Sequence, residues 1–85
     1  MPPAEIRWER RAFKELMPLP RTARERIVRA VDDLADSPLK GELLSGEWQG
    51  LRRLRVGLYR VIYTFDGAAV VIAVLRVGHG REICR

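Results

Sequence analysis

Cysteine, histidine and lysine are nearly absent from this chain, and each shortage closes off a class of function. Cys84, the single cysteine, excludes an internal disulfide; with His79 as the single histidine, no Cys/His set exists for a zinc site. No apolar run approaches the ~20 residues needed to span a membrane. The start, Met-Pro-Pro-Ala-Glu, lacks the charged segment and apolar stretch of a secretory signal. A cytoplasmic protein using neither metal nor cofactor is expected. Lysine occurs only at Lys14 and Lys40, so fourteen of the sixteen basic residues are arginine.

What is present fits one domain, residues 1–85, with chain enough for a single small core. Hydrophobic residues make up 47% of it, which argues for a folded unit and against a disordered tail. The net charge of +5 suits nucleic acid or an acidic protein as partner. Codon bias would account for the number of arginines, but not for where they sit.

Residues 4–8 read as a first strand, at a sheet edge, with Ile6 and Trp8 alternating. Ala12, Phe13, Leu16 and Met17 recur at helical spacing over 9–17, until Pro18 and Pro20 stop the helix. Ala23, Ile27, Ala30, Val31 and Leu34 then form one stripe of a second helix, 21–36, ended by Ser37-Pro38. Together these make an αα-hairpin. Residues 40–50 read as a loop anchored by Leu43, Leu44 and Trp48. From Leu51 the period switches to two. Gly57 suits the first position of a type II′ turn between strands 51–56 and 59–65. Asp66-Gly67 signals a type I′ turn into a strand 68–77. The expected fold is α+β, in the order β-α-α-β-β-β: a helical hairpin packed on a small antiparallel sheet.

A Gly57-Leu58 loop sets Val56 against Tyr59, Arg55 against Arg60, Leu54 against Val61 and Arg53 against Ile62. Directly opposed residues share a face. Leu54, Val56, Tyr59, Val61, Tyr63 and Phe65, with Val70, Ile72 and Val74, should therefore carry the helices. The other face collects Arg53, Arg55, Arg60, Ile62, Val71 and Ala73, with Ala73 opposite Arg60. Arg52 and Arg76 fall on the helix-packed face near its margin, in structural roles. Like charges directly opposed destabilise a sheet, so the Arg55–Arg60 pair needs a compensation. Two readings stay open. Either an anionic ligand occupies the face, or the arginine stems lie flat over apolar surface and an acidic element or partner neutralises them. Trp8 and Trp48 read as core or loop anchors, and Cys84 as a small buried hydrophobe.

The run from Leu54 to Tyr63, Leu-Arg-Val-Gly-x-Tyr-Arg-Val-Ile-Tyr, carries a resemblance. With the Val-Val-Ile-Ala-Val-Leu strand and the Val-Gly-His-x-Arg-Glu-Ile segment that follow, it resembles the RelE/ParE superfamily of bacterial type II toxins. The resemblance spans essentially the whole chain. It implies a RelE-like fold and a small toxin held in a hetero-oligomer by a cognate antitoxin, an acidic, DNA-binding protein encoded beside it. RelE-like members cut messenger RNA in the ribosomal A site without a metal; ParE-like members poison DNA gyrase. By position, the RNA-binding set implied is Arg53, Arg55, Arg60 and Arg81, and the catalytic set Arg53, Arg60, His79 and Arg81. A ribosome-dependent, metal-independent messenger RNA endonuclease is the expectation. The alternatives are a gyrase inhibitor without nuclease chemistry and a catalytically impaired relative.

This chain departs from the pattern in its last segment. Many relatives resemble Val-Gly-His-Arg-Arg-x-x-Tyr there, where this sequence has Gly80 and Cys84 at an arginine and the tyrosine position. The common Gly-Asp-Tyr turn is Gly57-Leu58-Tyr59. The tyrosine would stack on a base or assist proton transfer, and the arginine would add charge near the leaving group. His79 and Arg81 are the candidate substitutes. His79 is the one side chain whose ordinary pKa lies near neutrality, which makes it the acid or base candidate. The plainer reading is a loop histidine bonded locally.

Overall fold

The computed structural model describes residues 2–80. Strand β1 (Glu5–Trp8) leads into helix α1 (Arg10–Leu16) and helix α2 (Arg21–Asp33). After them come β2 (Glu42–Leu43), a 3-10 turn (Gly46–Trp48), β3 (Arg52–Val56), β4 (Tyr59–Asp66) and β5 (Val71–His79). The five strands form one sheet in the order β1-β5-β4-β3-β2. The helical hairpin carries the chain from β1 to the far edge, and the β3–β4–β5 meander brings it back. β5 returns parallel to β1 while every other pair is antiparallel. The α+β architecture is as expected, but the sheet is mixed. None of the helices described is long and apolar enough to cross a membrane.

The proline corner works as the sequence suggests. Arg24 reaches back across it, its Nη1 donating to the carbonyls of Met17 (2.9 Å), the C-cap of α1, and Leu19 (3.2 Å), within the corner itself. α2 stops three residues before the expected end. Leu34 and Ala35 instead donate to Val31 (2.9 Å) and Asp32 (3.1 Å), tightening the last turn. Ala12, Leu16, Ile27, Val31 and Leu34 meet Leu54, Val61, Tyr63, Ile72, Val74 and Val77 in the core. Phe13 and Met17 are not part of it; they stay 51% and 47% exposed on the outer side of α1. Ile27 is completely buried, so Ile27→Ala should cost about 2–5 kcal/mol, measured as a shift in the urea midpoint at constant slope.

The first hairpin has the predicted register throughout, with Gly57 at φ 60 where a type II′ turn needs it. The second does not. Asp66 pairs with Val71, leaving a four-residue loop with Val70 at φ 57, in place of the two-residue Asp66-Gly67 turn. The Asp66 carboxylate explains the change. It accepts from the backbone N–H of Ala68 (3.0 Å) and Ala69 (3.2 Å), which folds the loop around the aspartate. A bulge follows in β5: Tyr63 pairs with Val74 and Ile62 with Arg76, so Leu75 is the extra residue. The longer loop sets Ala73 opposite Thr64, and loop and bulge together set Arg60 opposite Gly78.

Residues 40–50 are more ordered than a plain loop. The buried Tyr63 hydroxyl donates to the Pro38 carbonyl (2.7 Å) and accepts from the Gly41 N–H (2.9 Å). A Cβ on Gly41 would stand 2.7 Å from the Tyr63 ring edge and hydroxyl, so only glycine allows this approach. With the loop root held, β2 pairs with β3, setting Glu42 beside Arg53 and Leu43 beside Arg52.

Candidate anion-binding face

Strand alternation sends the arginines of the β3–β4 hairpin to different places. Arg52, opposite the core residue Tyr63, turns to the helix side. There its Nη1 donates to the carbonyls of Gly41 (2.8 Å) and Leu39 (3.2 Å). Arg76 donates from Nε to both carboxylate oxygens of Glu15 on α1, at 3.2 and 3.1 Å, and Val77 N–H adds a third bond to Glu15 at 3.0 Å. Both residues brace the fold, Arg52 from the expected helix-packed face; Arg76 differs from expectation, because the bulge sets it opposite Ile62, outside the helix-packed core.

Arg53, Arg55 and Arg60 leave the sheet on the face opposite the helices. Arg55 and Arg60 are directly opposed, and Arg53 pairs with Ile62. Ile62 is fully buried although it lies outside the helix-packed core, flanked in the register by Arg53 and Arg76. Long basic side chains commonly cover apolar surface in this way while keeping their charge in water. Arg55 is exposed; Arg60 is half-buried, with Nη1 donating to the Tyr59 carbonyl at 3.3 Å.

Two features of this face escaped the sequence. The first is Glu42, whose Oε1 accepts from Nη2 of Arg53. A two-residue strand shows no periodicity, so nothing in the sequence paired this acid with that arginine. The second is a glycine lane beside Arg60. Gly78 is its register partner, and a Cβ on Gly80 would lie only 3.0–3.2 Å from the Arg60 guanidinium. Gly80, read in the sequence as the loss of an arginine, is here the seat on which Arg60 lies. Gly80→Ala should push the guanidinium aside by a few tenths of an ångström; fold stability should barely change, which a melting curve would check.

His79 is placed elsewhere. It is directly opposite Tyr59, on the helix side, and the two rings meet edge-on with centroids 6.1 Å apart at 69°. With Glu15, Leu19, Tyr59 and Val77 it lines a shallow depression there. Thus the structure assembles Arg53, Arg55 and Arg60 and directs His79 to the other face. The readings for Arg81 and Cys84 lie outside the described residues. Among the described residues, no cluster of three or more His, Cys, Asp or Glu side chains could hold a metal ion.

A face of guanidinium forks binds phosphate or carboxylate oxygens. Known proteins narrow the choice. Residues 6–84 match the family model described as the ParE toxin of the type II toxin-antitoxin system parDE. Toxin RelG of Mycobacterium tuberculosis is 33% identical over 85 residues, covering 98% of each chain. Among solved structures, the toxin–antitoxin complex RelBE2 of M. tuberculosis matches with a TM-score of 0.86 and 32% identity, over 91% of this chain and 98% of that one. The RelE–RelB complex of Pyrococcus horikoshii matches with a TM-score of 0.75 and 28% identity, over 95% and 98%. The chain belongs to the RelE/ParE toxin family of type II toxin–antitoxin systems.

Proposed function

We propose that this toxin is a ribosome-dependent messenger RNA endonuclease whose arginine face grips the RNA backbone. The carrying observation is the set of three arginines, Arg53, Arg55 and Arg60, on the sheet face that the helices leave bare. Cleavage at a ribose needs the 2′-OH activated, the phosphorane dianion stabilised and the 5′-oxygen protonated. Guanidinium forks supply the second need without a metal: they are always charged and match phosphate oxygens two at a time. Arg53 and Arg55 hold the backbone, and Arg60, flanked by glycines, is placed to meet the charge that develops at phosphorus. The family resemblance adds Arg81 to this RNA-binding set. The messenger in the ribosomal A site is the substrate, and the cytoplasm the place of action. A cognate antitoxin, acidic and DNA-binding, neutralises the toxin within a hetero-oligomer, as the complexes formed by its relatives suggest.

A second reading has its own support. The matching family model is that of a ParE toxin, and His79, the one neutral-range acid–base candidate, is on the helix face. A gyrase inhibitor using the arginines only for binding, or a relative with impaired chemistry, fits both facts. Induced expression separates the readings. Growth arrest with new primer-extension stops inside ribosome-bound messages is expected. Intact messages with gyrase-linked DNA breaks would replace the first reading by the second, and normal growth with intact antitoxin binding would point to impaired chemistry.

A further inference from the structure

Of the register partners of Arg53, Arg55 and Arg60, Glu42 is the one acid. Its place is built, not incidental. Gly41, just before it, is held from below by the Tyr63 hydroxyl and by Arg52, while Leu44 N–H donates to the Leu51 carbonyl (2.9 Å) just beyond it. The backbone on both sides is thus fixed, and β2–β3 pairing aims the carboxylate at Arg53. The two partners differ in exposure: the Arg53 side chain is 29% exposed and that of Glu42 63%, on the outer edge of the sheet. Glu42 can swing into water; Arg53 is the more confined of the two.

A carboxylate and a phosphate present the same pair of oxygens to a guanidinium fork. We propose that Glu42 is an internal stand-in for a backbone phosphate, holding Arg53 ready until RNA displaces it. This role presupposes the RNA-holding face proposed above. Each RNA molecule must then break the Glu42–Arg53 pair before it gains Arg53, which lowers affinity. The cost is the same for every RNA, so a strand held at high local concentration meets it while loose, dilute RNA stays largely unbound.

The full chain, titrated by anisotropy with a short fluorescein-labelled single-stranded RNA, tests this. Glu42→Gln should tighten binding about two- to fivefold, the range of an exposed ion pair. Arg53→Ala should weaken binding and lower the log–log salt slope by about 0.7, one phosphate contact. In the Arg53→Ala background, Glu42→Gln should change affinity by less than about twofold, and Glu47→Gln, an acid on the neighbouring 3-10 turn, should do no more in wild type. Melting temperatures report that all variants fold. A gain from Glu42→Gln that persists without Arg53 would reveal general charge and overturn the proposal, as would no gain or a loss. If Arg53→Ala and Arg60→Ala both leave binding unchanged, or if wild type and Glu42→Gln alike fail to bind, the RNA-holding face itself is wrong.

Discussion

Arg60→Ala is expected to lower cleavage of ribosome-bound message by about two to three orders of magnitude, the loss typical when one preorganised donor to a developing oxyanion is removed. Stability should hardly change. The Arg60 side chain is half-buried and contributes a single 3.3 Å bond to the Tyr59 carbonyl, while its loss relieves the opposed charge of Arg55. Arg60→Lys keeps the charge but not the fork, so it should recover only part of the rate. Cleavage by purified toxin on programmed ribosomes gives the first quantity and thermal melting the second. Undiminished cutting by the alanine variant would remove Arg60 from the chemistry.

Tyr63→Phe carries the largest expected effect on stability. It takes the donor from Pro38 and the acceptor from Gly41, leaving two polar backbone groups without partners, the Gly41 N–H buried and the Pro38 carbonyl partly so. At about 1–3 kcal/mol for each such group, the variant should melt at least about 8 °C lower, since a domain of this size loses about 4–8 °C per kcal/mol. Burial also raises the Tyr63 pKa, against smaller lowering effects of the Gly41 hydrogen bond and Arg52. The sign follows from that direction. The unfolded tyrosine ionises near pH 10 while the folded one still holds its proton, so wild-type stability from this group is complete below pH 10 and falls above it. The difference between wild type and Tyr63→Phe should therefore narrow above pH 10 in urea titrations, and a constant difference would contradict the assignment.

The parts of this fold that local chemistry dictates were readable from the residues. Pro18 and Pro20 mark the corner between the helices, and Gly57 with strict alternation fixes the first hairpin, so Arg53, Arg55 and Arg60 came out on one face. The second hairpin was misread because two turn chemistries compete at Asp66-Gly67. The dipeptide favours a tight turn, but a carboxylate able to bond Ala68 and Ala69 favours a longer loop. The longer loop alone would move the partner of Arg60 from Ala73 to Val77, and the bulge at Leu75 moves it one residue more, to Gly78. Phe13 and Met17 fit the helical period, yet they face outward because α1 is short and Ala12 and Leu16 already fill its inner side. Glu42 and Gly80 act through partners distant in sequence, and no local pattern records such pairings.

The parallel pairing of β1 with β5 bears on how this toxin comes into being. Synthesis delivers β1 before every other strand and β5 after them all, yet the two are neighbours in the sheet. Contacts this far apart in sequence must bear the loop-closure entropy before they return any stability, which slows folding. The β3–β4 hairpin, by contrast, needs only neighbours in sequence to pair. Until β5 docks, Arg60 has no Gly78 beside it, and the nascent chain exposes an arginine hairpin without its finished surroundings. A growing polypeptide would thus pass through a stage in which its charged face exists and its architecture does not.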